Sequence, residues 1–107
     1  MAEQGYTLGI LVRITTKEGE RDACLAALKT LFEQSTQHPT FIDAAVYRDS
    51  APEGIVLVER WAETAASFQE RASSAEYFAR FEREAGPLIA DRNVSFFDGR
   101  PAWSRSA

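Results

Sequence analysis

Seven residues, Ile55-Val56-Leu57-Val58-Glu59-Arg60-Trp61, constrain this chain more than any others. Side chains alternate along a strand, so positions 55, 57, 59 and 61 share one face and 56, 58 and 60 the other. Both sets begin apolar, which predicts a β-strand covered on both sides. Its end delivers a glutamate and an indole to the same face. A carboxylate there is costly to desolvate unless it is paired or wet. The face therefore holds either a structural ion pair or the wall of a pocket.

The elements around this strand follow from period and punctuation. Tyr6 to Thr15 sets Leu8, Ile10, Val12 and Ile14 against Thr7, Gly9, Leu11 and Arg13, a period of two that predicts a first strand. Thr16 is a plausible N-cap. Ala23, Cys24, Ala27, Leu28, Leu31 and Phe32 then recur at helical spacing to about Thr36, where Gln37-His38-Pro39 ends the helix. Phe41 to Arg48 reads as a second strand. Asp49 to Gly54 is turn chemistry, which makes strands two and three an antiparallel hairpin. Ala62 to Ala72 is helix-prone, Ser73-Ser74 breaks it, and Ser74 could cap a further segment carrying Tyr77, Phe78, Phe81, Ala85 and Leu88. Gly86-Pro87 interrupts that segment, and Asn93 to Asp98 is the last strand.

The order β-α-β-β-α-β predicts an α+β fold of the ferredoxin-like, split-βαβ kind: a four-stranded antiparallel sheet with helices on one face. At 107 residues the chain is expected to form a single domain, its core spanning about 6–98 and residues 99–107 forming a tail. The face away from the helices retains Val46, Val56, Val58, Ile42 and Leu11, too apolar for water, and predicts a homodimer that buries sheet against sheet. Arg60 alternates onto that face and is expected at the interface.

Charge removes other classes. Twelve Lys and Arg against sixteen Asp and Glu leave a net charge of −4. No basic stripe for nucleic acid or an anionic membrane survives that balance. Met1 to Gly9 shows no signal-peptide pattern and no window approaches the ~20 apolar residues that span a bilayer, so a cytoplasmic location is expected. Cys24, the single cysteine, sits at a helical apolar position and is expected to be a packed thiol, with no metal site around it.

Four features resemble the antibiotic biosynthesis monooxygenase domain family. They are the strand leading through Thr16-Lys17-Glu18-Gly19 into a long helix, His38-Pro39 before strand two, Val46-Tyr47-Arg48-Asp49 in the hairpin, and Glu59-Arg60-Trp61 followed by Ser74-Ala75-Glu76-Tyr77-Phe78. The resemblance runs from about Leu8 to Asp98. It implies a dimeric α+β barrel with a pocket between sheet and helices in each subunit. Several members oxidise quinols or anthrone-like polycyclic phenols with molecular oxygen and without metal or organic cofactor. The chain departs from the family at Thr40, where glycine often follows His-Pro. It has Gln69 and Glu70 where many members carry histidine, and Leu57 where some anthrone oxygenases carry asparagine.

These readings make Trp61, Phe68, Tyr77 and Phe81 the candidate walls of a pocket for a small aromatic substrate, with Phe78 in the same cluster. Glu59, a base for a phenolic proton, and Tyr47 are the candidate catalytic groups. No cofactor is expected. His38, the only histidine, lies in a turn typical of a capping or surface residue. Haem degradation, known for this architecture, needs an axial ligand on the second helical region, and the sequence has no histidine there. The alternative of another class is a non-catalytic binding or dimerisation module, in which Glu59 is locked in a salt bridge.

Overall fold

A computed structural model describes residues 6–107. Residues 1–5, on which the reading of the N-terminus partly rests, lie outside the described residues. The chain runs β1 (Leu8–Thr16), α1 (Arg21–Ser35), β2 (Phe41–Arg48), β3 (Gly54–Trp61), α2 (Ala65–Ser74), α3 (Glu76–Ala85), a 3-10 turn (Gly86–Leu88) and β4 (Ile89–Asp98). The four strands form one antiparallel sheet in the order β2-β3-β1-β4. This is the expected ferredoxin-like α+β fold, with its second helical region divided in two.

The core sits where the period-two patterns of β1 and β3 meet the helices. Leu8, Ile10, Val12 and Ile14 pair in register with Trp61, Glu59, Leu57 and Ile55, so both sets share one face. They are buried beneath Cys24, Leu28 and Leu31 of α1, Phe68 of α2, and Phe81 and Ala85 of α3. Each large side chain of this kind stabilises the fold by roughly 1.5–3 kcal/mol through area removed from water. The Cys24 thiol is free and fully buried. Burial pushes its pKa up against a weaker opposing pull from Arg92, so it packs as an inert group.

Three local expectations change. Thr16 is not a helix cap: it is the last residue of β1, and its hydroxyl donates to Glu53 Oε1 at 3.0 Å. The other Glu53 oxygen accepts from the amide of Gly19, which turns the chain with φ of 79°. That carboxylate, from the β2–β3 loop, orders the entry to α1 in place of a local cap. Ser74 does not cap α3 either. It ends α2 by donating to the Glu70 carbonyl, and the break falls at Ala75, whose ψ of 132° is extended. Thr64, unremarked in the sequence, caps α2 by accepting from the Ser67 amide.

The third change concerns the faces of β2. Val46 pairs with Leu57 and Ala44 with Glu59, so Val46 packs toward the helices rather than on the open face. Tyr47 pairs with Val56 and Asp43 with Arg60, which puts Tyr47 on the open face, 57% exposed. Phe41 nonetheless meets Trp61, because the register shifts at Ile42 and a bulge returns Phe41 to the helix side. The open face thus carries Leu11, Val56, Val58, Tyr47 and Phe97. Arg60 lies on it too, tied to Asp43 at 2.6 Å and to the Gly99 carbonyl at 3.3 Å. Among the described residues no helix is long and apolar enough to cross a membrane.

Candidate functional site

Between the sheet and the helices lies a cavity of about 270 Å³. Its floor is the buried face of β1 and β3, its roof comes from α1, α2 and α3, and its open side is β4. The opening has a topological cause. Strand β4 is at the sheet edge, and the helices lean over β1 and β3, so Val94 and Phe96 on its helix-facing side are 50% and 41% exposed. Apolar groups left bare at the rim of a concave site are a common sign of a ligand entrance.

Glu59 reaches this cavity from the centre of β3 and is only 7% exposed. One carboxylate oxygen, Oε1, accepts from Trp61 Nε1 at 3.0 Å. Among the described residues, the other oxygen has no hydrogen-bond partner and Glu59 makes no salt bridge. Burial raises the Glu59 pKa above the usual carboxylate range, more than the indole N–H lowers it. The site therefore presents a desolvated proton acceptor to an aromatic-lined space.

Around it the predicted residues divide. Phe68 and Phe81 line the cavity with Glu59. Trp61 does not: fully buried, it stands behind the carboxylate, edge-on to Phe41 at 5.2 Å and tilted against Phe68 at 5.4 Å. It holds the carboxylate by its indole N–H instead of forming a wall. Tyr77 packs tilted against Phe78 at 5.0 Å but turns to a small crevice between α1 and α3, outside the cavity. Tyr47 is on the far side of the sheet from Glu59 and joins nothing here.

A second polar group was not anticipated. Glu63, 1% exposed, follows β3 and accepts four hydrogen bonds from three described residues. Arg71 donates to it from both terminal guanidinium nitrogens, each at 2.7 Å, Thr40 Oγ1 donates at 2.8 Å and Ser67 Oγ at 2.9 Å. Arg71 also covers the faces of Trp61 and Phe68 at 5.0 and 5.2 Å. His38 belongs to the same network, with Nδ1 2.8 Å from Thr40 Oγ1 and Nε2 3.4 Å from Arg71 Nη1. The Ser67–Glu63 spacing of four residues was the one local signal. Glu63 and Arg71 stand eight apart and meet only after α2 folds back. Among the described residues no group of three or more His, Cys, Asp or Glu is placed to hold a metal ion.

A family model described as antibiotic biosynthesis monooxygenase matches residues 7–83. Among solved structures, the chain is similar to candidate antibiotic biosynthesis monooxygenases of Nitrosomonas europaea and Chloroflexus aurantiacus. The first is 18% identical with a TM-score of 0.78, covering 88% of this chain and 90% of that one. The second is 19% identical with a TM-score of 0.76, covering 92% and 97%. PA3566 of Pseudomonas aeruginosa is 20% identical with a TM-score of 0.77, covering 90% and 96%. At these identities the likeness speaks for the fold. No curated protein matches the chain.

Proposed function

The chain belongs to the antibiotic biosynthesis monooxygenase family, and on that premise we propose that it oxidises a small aromatic phenol with molecular oxygen in the cavity beside Glu59, without a cofactor. The observation that carries this reading is the Glu59 carboxylate itself, desolvated, oriented by Trp61 and with one oxygen free toward an aromatic-lined space.

In this reading Glu59 takes the O–H proton of the enol (phenol) tautomer of an anthrone-type substrate, and the resulting anion is delocalised onto the ring carbon that is the methylene of the keto tautomer. That anion gives one electron to oxygen. The substrate radical and superoxide combine, and the peroxide so formed loses water to leave a carbonyl where a methylene had been. The overall change is CH₂ plus O₂ to C=O plus H₂O, so substrate supplies all the electrons. Phe68, Phe81 and Phe96 hold the ring system and keep water from the anion, where low polarity strengthens each remaining interaction.

Oxygen uptake by the metal-stripped protein across a panel of quinols and anthrone-like phenols tests the proposal. Consumption above the spontaneous rate is expected for at least one of them. Uptake equal to the buffer control throughout would overturn it.

The same reading includes a homodimer through the open sheet face, where Leu11, Val56 and Val58 form an apolar strip between the charges of Arg13 and the Arg60–Asp43 pair. A two-fold axis through such a strip sets each patch against its own copy. Light scattering is expected to give twice the mass of the 11.9 kDa chain, and a monomeric mass at micromolar concentration would exclude it.

A further inference from the structure

The cavity has an electrostatic polarity that the proton acceptor alone does not use. Among the described residues that line it, one is a cation: Arg92 of β4, which sits opposite Ile14 on the helix-facing side of the sheet. Arg92 forms a two-pronged pair with Glu82 of α3, Nη1 to Oε2 at 2.6 Å and Nη2 to Oε1 at 3.0 Å. Both residues stand at the cavity's rim and both remain partly exposed. A guanidinium so placed presents a planar fork matched to a carboxylate, and the partner it now holds is itself a carboxylate.

Register sets the spacing. Glu59 pairs with Ile10 and Arg92 with Ile14, on strands that flank β1 on opposite sides. Four residues along β1 and two strand spacings across it separate the two backbone positions by roughly 16 Å. Side chains stand roughly perpendicular to the sheet, so their tips keep a separation of that order, which a fused-ring skeleton with a polar group at each end spans when each end adds a hydrogen bond. An anionic group at the Glu59 end meets a carboxylate with no cation beside it, whereas at the other end it can take the place of Glu82 on the Arg92 fork, so the two ends of a substrate are distinguishable.

Resting on the reading of the cavity as a phenol site, we propose that Arg92 is a specificity-determining residue that selects an aromatic substrate with a carboxylate at the end remote from the phenol. The substrate carboxylate displaces Glu82 from the fork, while the phenol lies at Glu59. Substrates without that group enter the cavity in either direction, and only one direction brings the phenol to the base.

Calorimetric binding of 6-hydroxy-2-naphthoate and 2-naphthol, which differ only in the remote carboxylate, tests this. The intact protein is expected to bind the naphthoate about tenfold more tightly, ~1.4 kcal/mol. Arg92→Gln should lose that preference through weaker naphthoate binding, and Glu82→Gln, which frees the fork, should widen it. The Glu82 variant also keeps the test open if Arg92→Gln fails to fold. Equal affinities in the intact protein, a preference that survives Arg92→Gln, an equal loss for both probes or a narrowed preference in Glu82→Gln each overturn the inference. Binding of naphthol without preference leaves the oxidation reading standing. A preference without oxygen uptake from any phenol does the reverse, and failure to bind either probe removes the site from both.

Discussion

Replacing Arg71 with methionine is expected to lower the stability of the domain by about 3–5 kcal/mol, the usual consequence of stranding one member of a buried ion pair. Arg71 supplies two of the four hydrogen bonds around Glu63, and its guanidinium also covers Trp61 and Phe68. Methionine retains much of the packing and none of the charge, leaving Glu63 almost completely buried with only Thr40 and Ser67 to hold it. For a domain of this size each kcal/mol moves the thermal midpoint by about 4–8 °C, so a fall of roughly 12 °C or more is expected. Adding Glu63→Gln, which removes the stranded charge and keeps its acceptor oxygen, should recover part of the loss. Thermal and urea unfolding check both, and an Arg71→Met midpoint within a few degrees of the intact protein would refute the argument.

The pH dependence of that loss has a definite sign. Burial alone would raise the pKa of Glu63, but hydrogen bonds from Arg71, Thr40 and Ser67 and the Arg71 charge outweigh it, so the folded pKa is lowered. A lowered pKa contributes stability that is present above the unfolded value, about 4.3, and lost as pH falls through the folded one. Without Arg71 the carboxyl protonates more readily. The gap between variant and intact protein should therefore narrow as pH falls, from where the variant's carboxyl protonates down to the folded pKa of the intact protein.

The second large effect is on turnover. Glu59→Gln keeps an oxygen to accept from Trp61 Nε1 but cannot take a proton, so oxygen uptake on a productive phenol should fall by about 10²–10⁴-fold. Stability should move the other way. The folded pKa of Glu59 is raised, chiefly by burial, so its contribution is fully present below the unfolded value and lost as pH rises through the folded one. Glutamine stays neutral and escapes that loss. The variant is expected to match or exceed the intact protein in stability at neutral pH, with the two converging in acid. In the intact protein, kcat/KM should rise through a pKa above the ordinary glutamate range. Unchanged uptake in the variant, or a loss of uptake accompanied by a lower midpoint at pH 7, would count against Glu59 as the base.

What could be read before folding was whatever depended on neighbours in the chain. Strands β1 and β3, helix α1 and the hairpin follow from periods of two and 3.6 and from turn residues, because those patterns are set by local backbone geometry. The assignment of Glu59 and Trp61 to one face followed from the same rule, as did the apolar strip at Val56 and Val58. Where one step of phase mattered, the rule failed. Pairing with Leu57 and Val56 put Val46 on the helix side and Tyr47 on the open side, and the bulge at Ile42 returned Phe41 to the helix side, out of phase with strict alternation.

The sequence by itself determined the elements, their order and a buried carboxylate beside an indole. Tertiary structure alone decided which aromatic groups enclose space and which merely fill it. Trp61 became a support and Tyr77 turned away, because their positions depend on how α2 and α3 divide at Ala75 and pack against α1. It also decided the charge pairs, Glu63 with Arg71 and Glu82 with Arg92, whose partners lie eight and ten residues away. The physical reason is common to both. Hydrophobic periodicity acts over a turn or two, whereas a cavity and its charges arise from surfaces that meet only when the sheet and helices close on each other.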